Sequence, residues 1–325
     1  MPDRSTQTES RAAQSEPELG AVVELDRRPV LTGSCSWTDR TLTNEAEFYP
    51  RRTMSAKDRL RFYASNFPLT EIDSTYYAPP SGQQAQLWAE RTPDGFRFDV
   101  KAYSLLTGHP TRPQSLWSDL REQLPEDVRE KRNLYPHHLG PELLDEAWRR
   151  FATALKPLHE AGRLGAVLFQ YPAWFTPRKD NRREVEALRE RLPDYLISVE
   201  FRSPMWLAEE RDRKRTLRML EESGLIFVSL DAPRVSELPQ IMAVTNPELF
   251  MMRFHGRSDE TWHDTSRSAA ERFRYLYSEK ELQELARPIA GHVREAKETH
   301  LLMNNCYRDY AVRNAAQLRD LLANM

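Results

Sequence analysis

Leu249-Phe250-Met251-Met252-Arg253-Phe254-His255-Gly256-Arg257 is an apolar run that leads directly into ionisable side chains. The apolar part predicts a buried strand. Side chains alternate between the two faces of a strand, so Arg253 and His255 lie on one face while Met252 and Phe254 lie on the other. Charged groups at the end of a buried strand are costly unless they meet partners. We expect those partners at the rim of a barrel, where strand ends converge; an exposed strand end with solvated charges is the alternative.

Short apolar runs alternate with charged, helix-periodic segments from Pro29 onward. Eight strands separated by helices predict parallel β/α units, and eight such units favour a single TIM-type (β/α)8 barrel of the α/β class. An open, doubly wound sheet is the alternative, but no glycine-rich phosphate loop follows the first strand. The predicted strands are Val30–Ser34, Leu69–Asp73, Phe96–Lys101, Ala166–Gln170, Leu196–Phe201, Ile226–Leu230, Leu249–Phe254 and Thr299–Met303. The predicted helices include Ala56–Ala64, Gln83–Arg91, Asn181–Arg191, Arg211–Ser223, Ser278–Ala296 and Ala311–Ala323.

The chain is predicted to contain a tail, a barrel and one insertion. Residues 1–28 are rich in Ser, Glu, Gln and Arg without an apolar period, which is typical of a disordered N-terminal tail. Residues 29–325 are expected to form the barrel domain. The segment 104–147, which follows the third strand, is longer than one loop and one helix need, and it holds five prolines. We interpret residues 104–147 as an inserted lid or subdomain over the barrel mouth.

Composition and charge limit the classes of function. Hydrophobic residues make up 39 % of the 325 residues, which is enough for a large core, and the formal net charge is −2. This charge gives no general electrostatic reason for binding to nucleic acid or to a membrane. No apolar run is long enough to span a bilayer and no secretory signal pattern opens the sequence, so a cytoplasmic location is expected. The sequence makes no prediction of oligomeric state.

The cysteine content excludes a disulfide framework and a cysteine-rich zinc site, because Cys35 and Cys306 are the two cysteines of the chain. They follow the first and last predicted strands, which are neighbours in a closed barrel. A disulfide is therefore geometrically conceivable. A reducing cytoplasm argues against it, so free thiols are expected.

Polar side chains collect at the carboxyl ends of seven of the eight predicted strands, where barrels of this type place their active sites. Random placement would not favour one end of every strand, so the sequence predicts a concave polar site. For each residue a purely structural role is the alternative, such as an ion pair between Arg202 and Glu200 or asparagines that cap a helix. The strand-end residues are Ser36, Trp37, Glu71, Asp73, Thr75, Tyr76, Lys101, Gln170, Glu200, Arg202, Asp231, Arg253, His255, Asn304 and Asn305.

These residue types favour binding of an anion and acid–base chemistry. An arginine can hold two oxygens of a phosphate or carboxylate at once, and a lysine adds a point charge. His255 titrates nearest neutral pH and is the predicted proton shuttle. Glu71, Glu200 and Asp231 complete the catalytic candidates. The candidate substrate-binding residues are Lys101, Arg202, Arg253, Gln170, Asn304, Asn305, Thr75, Tyr76 and Trp37.

A divalent metal is the alternative use of the same acids. Glu200, Asp231 and His255, with Glu71, offer oxygen and nitrogen ligands. The neighbouring arginines would compete for those carboxylates, so no cofactor is predicted and the metal stays an alternative. No nucleophile elbow, P-loop or zinc-ligand spacing occurs in the sequence.

Several motifs occur in an order that identifies a family. They are Gly33-Ser34-Cys35-Ser36-Trp37, Phe48-Tyr49-Pro50, Glu71-Ile72-Asp73-Ser74-Thr75-Tyr76-Tyr77, Phe96–Lys101, Leu168-Phe169-Gln170-Tyr171-Pro172, Val199-Glu200-Phe201-Arg202, Arg253-Phe254-His255-Gly256-Arg257 and Asn304-Asn305 followed by Asn314-Ala315. Together they resemble the YecE-like family, known as domain of unknown function 72, over about residues 30–323. The resemblance implies a single TIM-type barrel, and the family's activity is unassigned. Asp73 departs from the family's usual Asn, and Cys306 and Asp309 stand where the family commonly has His and Gly.

Three functions are compatible with this sequence. The first is an enzyme that acts on a small phosphorylated or carboxylated substrate by acid–base chemistry, as a hydrolase, lyase or isomerase. The second is a nucleic-acid-processing barrel of the endonuclease type, which the near-neutral charge disfavours. The third is a non-catalytic protein that binds a ligand without turnover.

Overall fold

Eight parallel strands close into a barrel in the computed structural model, which describes residues 18–262, 264 and 268–325. The strands are β1 (Val23–Leu25), β2 (Arg28–Ser34), β3 (Leu69–Ile72), β4 (Arg97–Lys101), β5 (Leu164–Tyr171), β6 (Leu196–Phe201), β7 (Ile226–Asp231), β8 (Leu249–Phe254) and β9 (Glu298–Met303). From β2 to β9 each strand pairs with the next one along the chain, and β2 also pairs with β9. The predicted TIM-type barrel is confirmed, and the predicted bounds of β6 and β8 are those of the structure.

Helices follow the strands and surround the barrel. They are α1 (Arg40–Asn44), α2 (Ala56–Ala64), α3 (Gly82–Glu90), α4 (Ser118–Glu122), α5 (Glu126–Arg129), α6 (Pro141–Glu160), α7 (Lys179–Glu186), α8 (Leu188–Arg191), α9 (Glu210–Glu222), α10 (Ala269–Arg272), α11 (Glu279–Val293) and α12 (Tyr310–Ala323). The one long helix predicted over residues 181–191 is in fact divided into α7 and α8. In the described part of the chain, no helix has both the length and the apolar character that crossing a membrane requires.

Alternation along the strands separates the barrel interior from the layer beneath the helices. On β8, Leu249 and Met251 belong to the cluster of apolar side chains that fills the barrel. Phe250 and Phe254 belong to the larger cluster between the sheet and the helices. Arg253 continues the inner series and is only 1 % exposed, so its charge lies inside the carboxyl end of the barrel.

Residues 18–28 are ordered, so the predicted disordered tail of residues 1–28 is wrong for this part. Strand β1 pairs antiparallel with β2 through a turn at Asp26 and Arg27. The amide of Gly20 donates to the carbonyl of Ala64 at 2.7 Å, and a side chain at Gly20 would collide with the backbone of Phe67. The chain therefore contacts α2 before it enters the barrel, and residues 1–17 lie outside the described residues.

The segment after β4 packs mainly on the outside of the barrel. Helix α6 begins at Pro141 and packs against α3 and β5, so residues 141–147 belong to the barrel and the predicted end of the insertion is too late. Within the inserted part, Asp119 accepts a hydrogen bond of 2.7 Å from Arg150 of α6. The Arg150 guanidinium also lies 5.8 Å from the ring centroid of Trp117. The inserted part is thereby fixed to the outer helix layer.

A second charged cluster lies inside the amino-terminal end of the barrel. His300 is fully buried; its Nδ1 lies 2.8 Å from a carboxylate oxygen of Asp99, and its Nε2 lies 2.8 Å from Glu298. Asp99 also accepts the amide of Ala166 at 2.7 Å. Burial alone would lower the pKa of His300, but the two carboxylates raise it to about 9. The strand passes this cluster at Gly165, where a Cβ would lie 2.3 Å from Asp99.

The His300 cluster makes stability depend on pH. Because the folded pKa of about 9 exceeds the ordinary value of 6.5, the contribution is complete below pH 6.5 and is lost as pH rises through 9. We expect the free energy of unfolding to fall by about 3 kcal/mol over this window from this group. Denaturant unfolding at pH 6, 7.5 and 9 measures it. The double variant H300Q/D99N should lack this decrease; an equal decrease in both proteins contradicts the assignment.

Candidate functional site

A cavity of about 530 Å³ opens at the carboxyl ends of the barrel strands. Its walls combine cations, two aspartates and aromatic rings. Such a mixture of apolar surface and a few convergent polar groups is typical of a site for a small molecule. The lining residues are Ser36, Asp39, Asp73, Tyr76, Tyr77, Lys101, His109, Gln170, Pro172, Ala173, Trp174, Arg202, Arg253, Trp262, Arg272, Phe273, Asn304 and Cys306.

Arg253 forms the floor of the cavity and bridges two buried carboxylates. Its Nη2 donates to Glu71 on β3 at 2.7 Å, and its Nη1 donates to Glu200 on β6 at 2.5 Å. Nη2 also lies 3.6 Å from the thiol of Cys35. Both glutamates are completely buried. The arginine therefore cancels charge from two distant strands within one planar group.

Glu200 is surrounded by donors and cations. Gln170 donates to its Oε1 at 2.6 Å, and the guanidinium of Arg202 forms an ion pair with the same oxygen. Burial alone would raise the pKa of Glu200, but Arg253, Arg202 and His255 bring it well below its ordinary value. Glu200 is thus ionised at neutral pH. The sequence-based expectation of an Arg202–Glu200 ion pair is confirmed.

His255 is buried and neutral. The amide nitrogen of Asn304 donates to Nδ1 at 2.7 Å, which leaves the proton of the neutral ring on Nε2, 3.4 Å from Glu200. Burial and the charge of Arg202 lower the pKa of His255 to about 3. We predicted His255 as a proton shuttle because a free histidine titrates near neutral pH. In this environment its ring stays uncharged at neutral pH and helps to position Glu200.

Two other acids have raised pKa values. Burial raises the pKa of Glu71 to about 7, although Arg253 and Lys101 act in the opposite direction. Its Oε2 is buried without a hydrogen-bond partner. Burial also raises the pKa of Asp73, which lines the cavity directly after β3. Glu71 is therefore able to exchange a proton near neutral pH.

Lys101 extends from the end of β4 into the cavity. Its ammonium group lies 4.6 Å from the ring centroid of Tyr76 and forms no ion pair with a carboxylate of the described residues. Burial and the charge of Arg253 lower the pKa of Lys101. Burial together with Lys101 and Arg202 lowers the pKa of the nearby His109 to about 3. Burial is the main cause of both shifts, and neighbouring positive charge contributes to each of them.

Aromatic side chains form the upper walls. Tyr76 and His109 meet edge to face at 5.2 Å, and His109 meets Trp174 at 5.9 Å. On the other side, the Arg202 guanidinium lies 5.1 Å from the ring centroid of Trp262. His109 is the cavity-lining residue of the segment predicted as a lid, so most of that segment does not reach the cavity.

Sequence reasoning missed several lining residues. Trp174 follows β5 by three positions, so its place after a strand end was a usable signal. Trp262, Arg272 and Phe273 lie in the long connection between β8 and α11, which has no periodic pattern that could place them. Cys306 also lines the cavity, and both cysteines are free thiols, as expected.

Asp231 does not reach the cavity, and its predicted position beside Glu200 is wrong. Leu230 belongs to the cluster inside the barrel, so the next residue of β7 points outward. There Asp231 accepts hydrogen bonds from Nε of Arg257 at 3.1 and 3.0 Å, from Nη2 of Arg257 at 2.7 Å, and from the hydroxyl of Tyr277 at 2.5 Å. The metal-ligand set of Glu200, Asp231 and His255 is therefore not assembled. Across the described residues, no group of three or more His, Cys, Asp or Glu side chains is arranged to hold a metal.

Three predicted substrate-binding residues have structural contacts outside the cavity. Asn305 points outward and donates to Asn314 of α12 at 2.9 Å. Thr75 donates to the backbone carbonyl of Lys101 at 2.6 Å. Trp37 is 7 % exposed and packs against Trp88 and Phe98. The other predicted substrate-binding residues, Lys101, Arg202, Arg253, Gln170, Asn304 and Tyr76, line the cavity.

The fold and the cavity define a TIM-type barrel protein with a polar pocket at the carboxyl ends of its strands. The chain belongs to the DUF72 family, whose model, described as "Protein of unknown function DUF72", matches residues 31–325. The family predicted from the motifs is therefore confirmed. The chain is also 28 % identical over 298 residues to the UPF0759 protein YunF of Bacillus subtilis (strain 168), which covers 90 % of this chain and 94 % of that protein.

Solved structures of DUF72 family proteins have the same fold. One from Enterococcus faecalis V583 is 26 % identical, with a TM-score of 0.73 over 91 % of this chain and 96 % of that chain. Another from Thermotoga maritima MSB8 is 28 % identical, with a TM-score of 0.70 over 90 % of this chain and 98 % of that chain. The names of these proteins state no substrate, so function must be argued from the cavity.

Replacing Arg253 should destabilise the fold strongly. The variant R253M leaves two buried carboxylates without their cation, and we expect a loss of about 3–5 kcal/mol in the free energy of unfolding. R150M is a matched control, because Arg150 also contacts two carboxylates, Asp119 and Glu146, but at the surface. It should change stability far less. Denaturant unfolding of both variants compares them, and similar losses would contradict the role given to Arg253.

Proposed function

We propose that the cavity binds a small anionic substrate, phosphorylated or carboxylated, and acts on it by acid–base chemistry. The observation that carries this proposal is Lys101, a half-buried cation that faces the cavity without a carboxylate partner among the described residues. A cation held away from water without a partner is unfavourable. An anionic substrate would supply the missing partner.

The distribution of charge supports an anion rather than a cation. Arg253 and Arg202 are balanced from below by Glu71 and Glu200, so these groups neutralise one another. Lys101 remains above them with Arg272, which also lines the cavity and forms no ion pair among the described residues. Arg202 lies beside this space with a side chain that is 16 % exposed. It can turn part of its guanidinium toward a bound phosphate or carboxylate.

The acid–base groups of the proposed reaction are Asp73 and Glu71. Asp73 lines the cavity, and its raised pKa allows it to take or give a proton. Glu71, with its pKa of about 7, lies beneath it and is able to relay a proton. Glu200 and His255 hold the two arginines and Asn304 in place instead, which assigns them a positioning role. Gln170 and Asn304 would bind hydroxyl or carbonyl groups of the substrate.

Removing the charge of Lys101 should weaken anion binding. A thermal-shift screen with inorganic phosphate, sulfate and small phosphorylated and carboxylated metabolites identifies ligands of the wild-type protein. We expect K101M to weaken their binding roughly tenfold or more, since a charge-assisted hydrogen bond is lost. K280M removes an exposed lysine of α11 and should bind as wild type does. Because burial and the charge of Arg253 lower the pKa of Lys101 from 10.5, binding should also weaken as the pH rises through that lowered pKa.

No stabilisation by any anionic probe would contradict the proposed function. Salt-sensitive binding of single-stranded DNA or RNA, with no binding of small anions, would favour the nucleic-acid alternative instead.

Replacing Asp73 should separate binding from turnover. D73N keeps the shape of the side chain but removes its proton-accepting form. We expect turnover of a ligand found in the screen to fall about 100-fold or more, while its dissociation constant changes by only a few fold. Steady-state kinetics and calorimetry measure the two effects. Turnover as in the wild type would remove Asp73 from the reaction, and binding without any product in the wild type would favour the non-catalytic function.

A further inference from the structure

One wall of the cavity is aromatic from its floor to its rim. The Lys101 ammonium lies 4.6 Å from the ring of Tyr76, Tyr76 meets His109 at 5.2 Å, and His109 meets Trp174 at 5.9 Å. All four side chains line the cavity. The Lys101 ammonium and the aromatic rim therefore lie on a single continuous wall of the cavity.

Trp174 presents most of its indole to solvent. Its side chain is 63 % exposed, whereas tryptophan is on average a highly buried residue. The ring meets His109 at an interplanar angle of 68°, so this contact uses an edge and does not cover both faces of the indole. Tyr77, which meets Tyr76 edge to face, is 65 % exposed at the same rim. Such apolar surface at the mouth of a polar cavity marks a place where a ligand is bound.

The lower part of the cavity is polar instead. Ser36, Asp39, Asp73, Gln170 and Asn304 line it together with the cations. These groups accept and donate hydrogen bonds, which suits the hydroxyl groups of a polar linker. The cavity thus changes from a cationic and polar floor to an aromatic rim.

We infer that the anionic substrate carries a planar, unsaturated ring, which stacks on Trp174 while its anionic group pairs with Lys101. This inference rests on the proposed function and narrows its substrate class. A planar, unsaturated ring gains more binding free energy from an exposed indole than a saturated group does. The reason is that two flat π-systems stack at contact distance and bury apolar surface of both. The neutral state of His109 favours this arrangement, since a charged ring in that wall would repel Lys101.

Matched pairs of ligands test the inference by isothermal titration calorimetry. Adenosine 5′-monophosphate and ribose 5-phosphate share the anion and the sugar but differ in the ring. Benzoate and cyclohexanecarboxylate are the corresponding pair for a carboxylate. In at least one pair, we expect the member with the planar, unsaturated ring to bind on the order of tenfold more tightly. W174A should abolish that difference and leave the other member unaffected, whereas W174F should retain most of the difference.

The control variant is M205A, which removes an exposed apolar side chain that does not line the cavity. It should bind every probe as the wild type does. Equal binding within both pairs, unchanged in W174A, overturns the inference and leaves the proposed function standing. Failure of all four anions and of inorganic phosphate to bind overturns the proposed function as well. Binding of adenosine as tight as that of its monophosphate, unaffected by K101M, overturns the pairing with Lys101.

Discussion

A buried arginine between two buried carboxylates is the interaction on which the rest of the site depends. Arg253 reaches Glu71 on one side of the barrel and Glu200 on the other. Ionisable groups in a dry interior are tolerated only when geometry and charge match closely. Glu200 holds Arg202 and Gln170, and burial together with the charge of Arg202 keeps His255 neutral. The protonation states of the cavity floor therefore depend on burial as well as on the neighbouring charges.

The protonation states of these side chains differ from those that their residue types suggest. Histidine is the usual group for proton transfer at neutral pH, but His255 is buried beside Arg202. Burial instead raises the pKa values of the carboxyl groups of Glu71 and Asp73, because it disfavours their charged form, and the pKa of Glu71 reaches about 7. Lys101 forms no ion pair with a carboxylate of the described residues. The cavity thus combines arginines that are paired with carboxylates and a lysine that is not.

The fold was predictable from the sequence because each strand of a barrel is buried on both faces and reads as a short apolar run. The same alternation placed Arg253 and His255 on one inner face. The structure turns Asp231 outward, against the prediction, because the sequence offers no independent sign of which face of β7 is inner when Leu230 and Ser229 are both buried. Trp262 and Phe273 reach the cavity through a long connection whose path depends on tertiary contacts such as Gly256 to Tyr277. Burial, which sets the pKa of His255, is likewise a property of the assembled barrel.

Closure of the barrel by pairing of β2 with β9 has a consequence for how the chain folds. Val30 pairs with Thr299, so the seam between β2 and β9 joins nearly opposite ends of the described chain. Contacts between such distant positions carry a large entropic cost and form late, after local β/α units have assembled. Arg253, Glu71 and Glu200 come from three separate strands and meet only when those units are joined. In a half-assembled barrel water solvates these charges, so their burial and their pairing come together, when the barrel closes.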